Sequence, residues 1–273
     1  MALDQLVASL TLPLRGDAGA CGPDMVFSPE FDRLSELRRQ DDPTLDQGEW
    51  VTELKRADWS AAAKLAEELL DRRTKDLRLA AWWAEAVSHV HGFEGLANGL
   101  ALYAGLCRAH WDHVHPLSDN GDNELRVGSI NWLLTQTRML CGALPVLQGT
   151  DRAFSLTDID TARQRSQAAS AAAPPAEGKP APLSMDAITR AQRNTPKAQL
   201  LSLLQGARKL PDALAQLEAA IDERLGAEGP GFATTRDAVG DTVSRLERLA
   251  REIGVLAGEP SAAGPAGAEP TPP

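Results

Sequence analysis

Cysteine is scarce in this 273-residue chain: Cys21, Cys107 and Cys141 are an odd number, and no CxxC pair occurs among them. That pattern excludes a zinc ribbon and a disulfide-stapled scaffold. Cys107 and Cys141 fall on apolar helical faces and read as small buried hydrophobes in a reducing compartment. Aromatic residues make up only 4% of the chain, and β-branched residues are sparse beside Ala and Leu. Extensive sheet therefore has little to build on, and helix is favoured. No run approaches the roughly 18 uninterrupted apolar residues that a membrane span needs. The N-terminal stretch MALDQLVASLTLPLRG places Asp4 where a signal peptide would carry basic residues. An excess of basic charge is missing too. The net charge is −10, and residues 184–257 balance ten acids against ten bases. Without a basic stripe, nucleic acid and anionic membrane are poor partners. A soluble, cytoplasmic protein with no direct membrane insertion is expected.

Catalytic signatures are absent as well. There is no P-loop, no GxGxxG, no GxSxG and no HExxH, and Ser129 has neither a local base nor a nucleophile elbow. Nucleophilic, phosphoryl-transfer and metallopeptidase chemistry have no residues to stand on. The chain is read as a non-enzyme with no cofactor.

What remains is helical periodicity. Leu3, Leu6, Val7 and Leu10 form one face of a short helix stopped by Pro13. Ser28 followed by Pro29 reads as an N-cap and first helical residue, starting a helix to about Arg39. Asp58 and Asp76 read as caps of two further helices. The first carries Trp59, Ala62, Ala66, Leu69 and Leu70; the second carries Leu79, Trp82 or Trp83, Ala86 and Val90. Because Trp82 and Trp83 lie about 100° apart on a helix, one is expected to be less buried and to offer a partner anchor. Gly92 breaks the run, and a fourth helix from Phe93 reaches Trp111 before Pro116. A fifth starts near Asn123, capped by Asp122 or Asn123 in the acidic loop Asp119–Glu124. The short connections imply antiparallel neighbours.

The expected organisation is all-α: an antiparallel multi-helix domain over 1–150, a helical extension with an Ala/Pro-rich linker over 151–183, a helical hairpin or small bundle over 184–257, and a disordered tail over 258–273. Pro211 marks a kink or a helix boundary. Within 184–257, Leu214, Leu217 and Ile221, with Leu246, Leu249 and Ile253, recur in steps of three and four. They form a candidate oligomer or partner seam resembling a coiled coil.

All five histidines lie between His89 and His115. His110 and His113 share a helical face, as metal ligands do, so a helical metal-binding regulator or metalloenzyme is the alternative reading. Against it, no Cys or paired carboxylate falls at complementary spacing, and helix-end histidines are favoured by the dipole. A solenoid adaptor is a third reading, but no fixed repeat period is present.

Three separated blocks resemble one known family. GPDMVFSPEFDRL (Gly22–Leu34) resembles the opening motif of the ImpA N-terminal domain of type VI secretion TssA proteins. DWSAAAKLAEELLDRRTKDLRLAAWWAEA (Asp58–Ala86) is similar to its central helix pair. HWDHVHPLSDNGDNELRVGSINWL (His110–Leu133) is similar to its most distinctive segment. The likeness covers about 1–150 and continues more weakly over Ala213–Phe232. Asp24, Pro29, Phe31, Trp111, His115 and Pro116 match motif positions, and their chemistry is mostly structural. The resemblance implies a non-enzymatic assembly role through docking on baseplate, tail tube or sheath proteins, with possible membrane-complex contact and homo-oligomerisation. Many such proteins carry a further C-terminal ring-forming domain. Here a Pro/Gly-rich tail stands where it would follow, as in a short subtype or a cut linker.

Overall fold

A computed structural model describes residues 2–16, 19–41, 54–169 and 183–256. Trp50 and the tail over 258–273 lie outside the described residues, as do 170–182 of the linker. The described residues are all-α apart from one short hairpin. The helices are α1 (Leu3–Thr11), α2 (Pro29–Arg38), α3 (Trp59–Arg72), α4 (Leu77–His110), α5 (Glu124–Ala143), α6 (Leu156–Ala169), α7 (Met185–Asn194), α8 (Lys197–Ala207), α9 (Leu210–Leu225) and α10 (Ala233–Glu252). Strands β1 (Pro145–Gln148) and β2 (Ala153–Ser155) pair antiparallel between α5 and α6.

The helix starts follow from side chains that accept otherwise unpaired N–H groups. Ser28 Oγ accepts from Phe31 N at 3.4 Å with Pro29 in the first turn, Asp58 Oδ1 from Ala61 N at 2.9 Å, and Asp76 Oδ1 from Arg78 N at 2.8 Å. Asp122 Oδ1 accepts from Glu124 N at 2.8 Å, so the acidic loop caps α5 through Asp122. Pro211 is a boundary: α8 ends at Ala207 and α9 begins at Leu210 with the proline in its first turn.

Helix α4 is the centre, and it is folded in two. Thirty-four residues of straight helix would span about 50 Å, yet Leu77 N, at its start, donates to His115 O, just past its end, at 2.8 Å. Gly92, at φ 62° and ψ −143°, makes the reversal. This conformation favours glycine because it has no Cβ to clash. The two arms then run back to back at close range. A Cβ on Gly95 would lie 2.1 Å from Val87 O, and one on Gly99 would lie 2.4 Å from the Ala84 Cβ. Glycine and alanine at this crossing let the two backbones meet. Val90, expected on a buried face, instead lies exposed beside the reversal.

Helices α1, α3, α5, α8 and α9 pack around this folded pair, with α10 bridging α5, α8 and α9. Core residues of 1–150 and of 184–256 form one continuous cluster. The candidate seam is part of it. Leu214, Leu217, Ile221, Leu246 and Leu249 are buried and Ile253 is half-buried. Helix α9 meets α4 more extensively than it meets α10. The seam expectation is thereby corrected for five of the six: Leu214, Leu217, Ile221, Leu246 and Leu249 are consumed inside the chain, and Ile253 alone is part-exposed. A three-four periodicity signals an apolar stripe without naming its partner, which here is the first half of the sequence.

The hairpin β1–β2 has no counterpart in the periodicity reading. Four- and three-residue strands are too short for a period-two pattern to register.

All six tryptophans lie at or before Trp132, so their fluorescence reports only the first half of the chain. Leu217→Ala in α9 should cost about 2–5 kcal/mol and lower the tryptophan-detected denaturation midpoint in one cooperative transition. An unchanged tryptophan transition would show that the two halves fold independently.

Candidate interaction site

The opening motif segment and the His115 loop meet at one place, the turn from Thr74 to Leu77 that joins α3 to α4. Lys75 N donates to Cys21 O at 2.7 Å, and Lys75 O accepts from His115 N at 3.0 Å. The two outer loops are also tied to the turn and to each other. Thr74 Oγ1 donates to Pro23 O at 2.8 Å, and His115 Nε2 lies 2.9 Å from Gly22 O. Three segments distant in sequence are thus laced together by main-chain bonds.

The Lys75 side chain enters the core beneath this crossing, only 1% exposed. Its ammonium donates to Leu10 O and Leu70 O, each at 2.7 Å, so it holds the end of α1 against the end of α3. Burial lowers its pKa from 10.5 to about 8, partly countered by Asp71 and Cys21.

Arg78 clamps the opening loop. It donates to Asp24 Oδ1 at 2.7 Å and to Asp76 Oδ2 at 2.6 Å, with its guanidinium 5.8 Å from the centre of the Phe31 ring. Burial pushes the Asp24 carboxyl up, but the Val26 N–H and Arg78 outweigh it and hold the group below the ordinary carboxylate range. Phe31 is buried and meets the Trp82 ring with centroids 5.5 Å apart. Pro29 stands at the start of α2 and is exposed.

Arg126, on α5, secures the other loop. Its Nε donates to Pro116 O at 2.7 Å and its Nη2 to Val114 O at 3.1 Å, while its guanidinium lies 4.5 Å from the centre of the Trp111 ring. The stacked cation shields the half-buried indole and fixes the loop after α4. Asp24, Phe31, Trp111, His115 and Pro116 are therefore brought together as bracing.

Trp83 is fully buried and donates from Nε1 to Glu67 Oε1 at 3.0 Å. Trp82 is the less buried of the pair, as its position predicts. Its outer face is covered by Arg38, 4.7 Å away, which also ion-pairs with Glu85 at 2.6 Å. Burial raises the Glu85 pKa, with Arg38 offsetting part of the rise.

The histidines disperse. His89 stacks on Trp59 at 4.0 Å, His110 Nε2 lies 2.7 Å from Thr11 O, and His115 serves the crossing; His91 and His113 are exposed. Among the described residues, no group of three His, Cys, Asp or Glu side chains is placed to hold a metal. Burial pushes the Cys107 thiol up to about 12 and that of Cys141 up to about 11. Neither thiol is a nucleophile at neutral pH.

Lys75, Arg78 and Arg126 were not singled out by sequence reading. A buried lysine looks in sequence like any solvated one. The Lys-Asp pair just before a capped helix was the only local hint.

With this geometry in place, comparison with known proteins is direct. Residues 13–135 match the family model described as ImpA, N-terminal, type VI secretion system. The type VI secretion system component TssA1 of Pseudomonas aeruginosa is 30% identical over 146 residues, which is 52% of this chain and 41% of that protein. The match thus spans less than half the length of that relative. The solved N-terminal domain of the TssA component from Burkholderia cenocepacia, which includes the conserved ImpA_N region, is 36% identical with a TM-score of 0.76. The likeness covers 93% of this chain and 96% of that one. It therefore extends well past residue 135 into the C-terminal helices.

The unfolded Lys75 keeps its proton up to about 10.5, whereas the folded one releases it near 8. Between those values the unfolded chain binds more protons, so stability climbs with pH; below 8 both forms are charged and the burial cost is present in full. The difference corresponds to roughly 3 kcal/mol. Urea denaturation at pH 7.5, 9 and 10 should show this climb in the parent and a flatter profile in Lys75→Met. Parallel profiles would contradict it.

Proposed function

This chain belongs to the TssA family of type VI secretion components, and from that premise we propose that it is a non-enzymatic assembly part. It docks on baseplate and tail components and helps coordinate growth of the tube and sheath. One observation carries the reading. The motif residues make their contacts within their own chain: Asp24 is held by the Val26 N–H and Arg78, His115 Nε2 meets Gly22 O, and Phe31 and Trp111 lie against arginine side chains, at a crossing that fixes two surface loops in place. Such a site positions a surface for another protein.

The partners are baseplate, tail-tube or sheath proteins, with contact to the membrane complex and self-association as further parts of the proposal. Among the described residues no helix is long and apolar enough to cross a membrane, and the place of action is the cytoplasm, where tails are built. Multivalency fits the role: several weak contacts on one chain act at high effective concentration once the first is made.

Deleting the gene in its host should stop release of tail-tube protein into the medium, and the full gene should restore it. The purified full chain should bind at least one purified baseplate, tube or sheath protein of the same cluster in surface-binding measurements. Normal release in the deletion strain, with no binding to any of these proteins, would overturn the assembly reading.

A further inference from the structure

We propose that the turn Met25–Ser28 anchors a docking surface in which the Phe27 ring enters an apolar socket, rimmed by basic side chains, on another protein of the secretion apparatus; this rests on the assembly reading above. Phe27 is 98% exposed, although Met25 and Phe31 on either side are buried at 6% and 3%. The turn is held from both ends. Ser28 N donates to Met25 O at 2.8 Å, Val26 N donates to Asp24 Oδ1 at 3.0 Å, and Arg78 grips the same oxygen. Upstream, Cys21 O and Pro23 O are bonded to the Thr74–Lys75 turn. Downstream, Ser28 caps α2.

Single exposed aliphatics such as Leu12 and Met139 are ordinary on protein surfaces. A phenylalanine ring almost wholly in water on a hydrogen-bonded turn is a different case. It offers a large apolar area with little backbone left to order on binding, as interface anchors do. The second loop braced by the same crossing adds Leu117, 53% exposed.

Charge selects the occupant. Of the three carboxylates in residues 22–32, Asp24 is taken up by Arg78 and Glu30 faces Arg73 at 3.7 Å, which leaves Asp32; residues 109–125 add four carboxylates and no Lys or Arg. A second copy of this chain, itself at −10, would set the same carboxylates against one another, and an anionic bilayer would be repelled. A protein surface with an apolar socket and a Lys/Arg rim satisfies both features.

The test uses the full chain and purified baseplate, tube and sheath proteins of the same cluster, with release of tail-tube protein measured in parallel. Phe27→Ala should leave the thermal midpoint unchanged and weaken binding roughly tenfold or more. Phe27→Trp should retain binding, and Asp32→Lys should weaken it. The parent's affinity should fall as salt rises from about 50 to about 500 mM. Binding by Phe27→Ala within twofold of the parent, while gene deletion still stops release, overturns the anchor and leaves the assembly reading standing. A lowered midpoint in Phe27→Ala overturns it as well, since the ring would then serve the fold. Phe27-dependent self-association or binding to phosphatidylglycerol vesicles overturns the choice of partner. Normal release on gene deletion removes the assembly reading itself.

Discussion

Lys75 closes this fold by bonding in four directions. Its N–H reaches the Cys21 carbonyl, its carbonyl receives the His115 N–H, and its ammonium reaches the carbonyls of Leu10 and Leu70. A charged group under a core is costly unless its hydrogens find acceptors, and here two carbonyls at helix ends, which lack helical partners, supply them. The residue thereby satisfies atoms from the ends of α1 and α3 while its main chain holds the loops on either side. Arg78 and Arg126 extend the same device outward: each guanidinium bonds a loop and lies against an aromatic ring.

The crossing depends in turn on the fold of α4. Only because the chain reverses at Gly92 can Leu77 and His115 lie within a hydrogen bond of each other. The close contact of the arms at Gly95 and Gly99 sets their spacing, and the outer faces of the pair are then covered by helices from both halves of the sequence. The C-terminal helices are therefore structural neighbours of the motif's support. This accords with the extent of the likeness to the Burkholderia cenocepacia domain, which reaches well beyond the ImpA_N segment.

Local signals were legible in the sequence. The caps at Ser28, Asp58 and Asp76, the break at Gly92 and the boundary at Pro211 are each set by one residue's conformational or hydrogen-bonding preference, and each falls where that preference puts it. Partnership was not legible. The stripe through Leu214, Leu217 and Ile221 looks identical whether it packs on another copy or on α4, and periodicity carries no address. Nor could composition reveal that Lys75 lies inside while its neighbours Arg72 and Arg73 lie in water. Burial of a charge is decided by the three-dimensional supply of acceptors.

In this account the family motif is a mount: main-chain lacing that holds two loops in place. Native-state hydrogen exchange at the amides of Lys75, Leu77 and His115 tests this most directly. If the crossing is a rigid part of the fold, these amides exchange only through global unfolding, at the free energy found by denaturation. If they exchange by local opening while the amides of Leu100 and Leu102 in α4 stay protected, the loops are not fixed and the account fails.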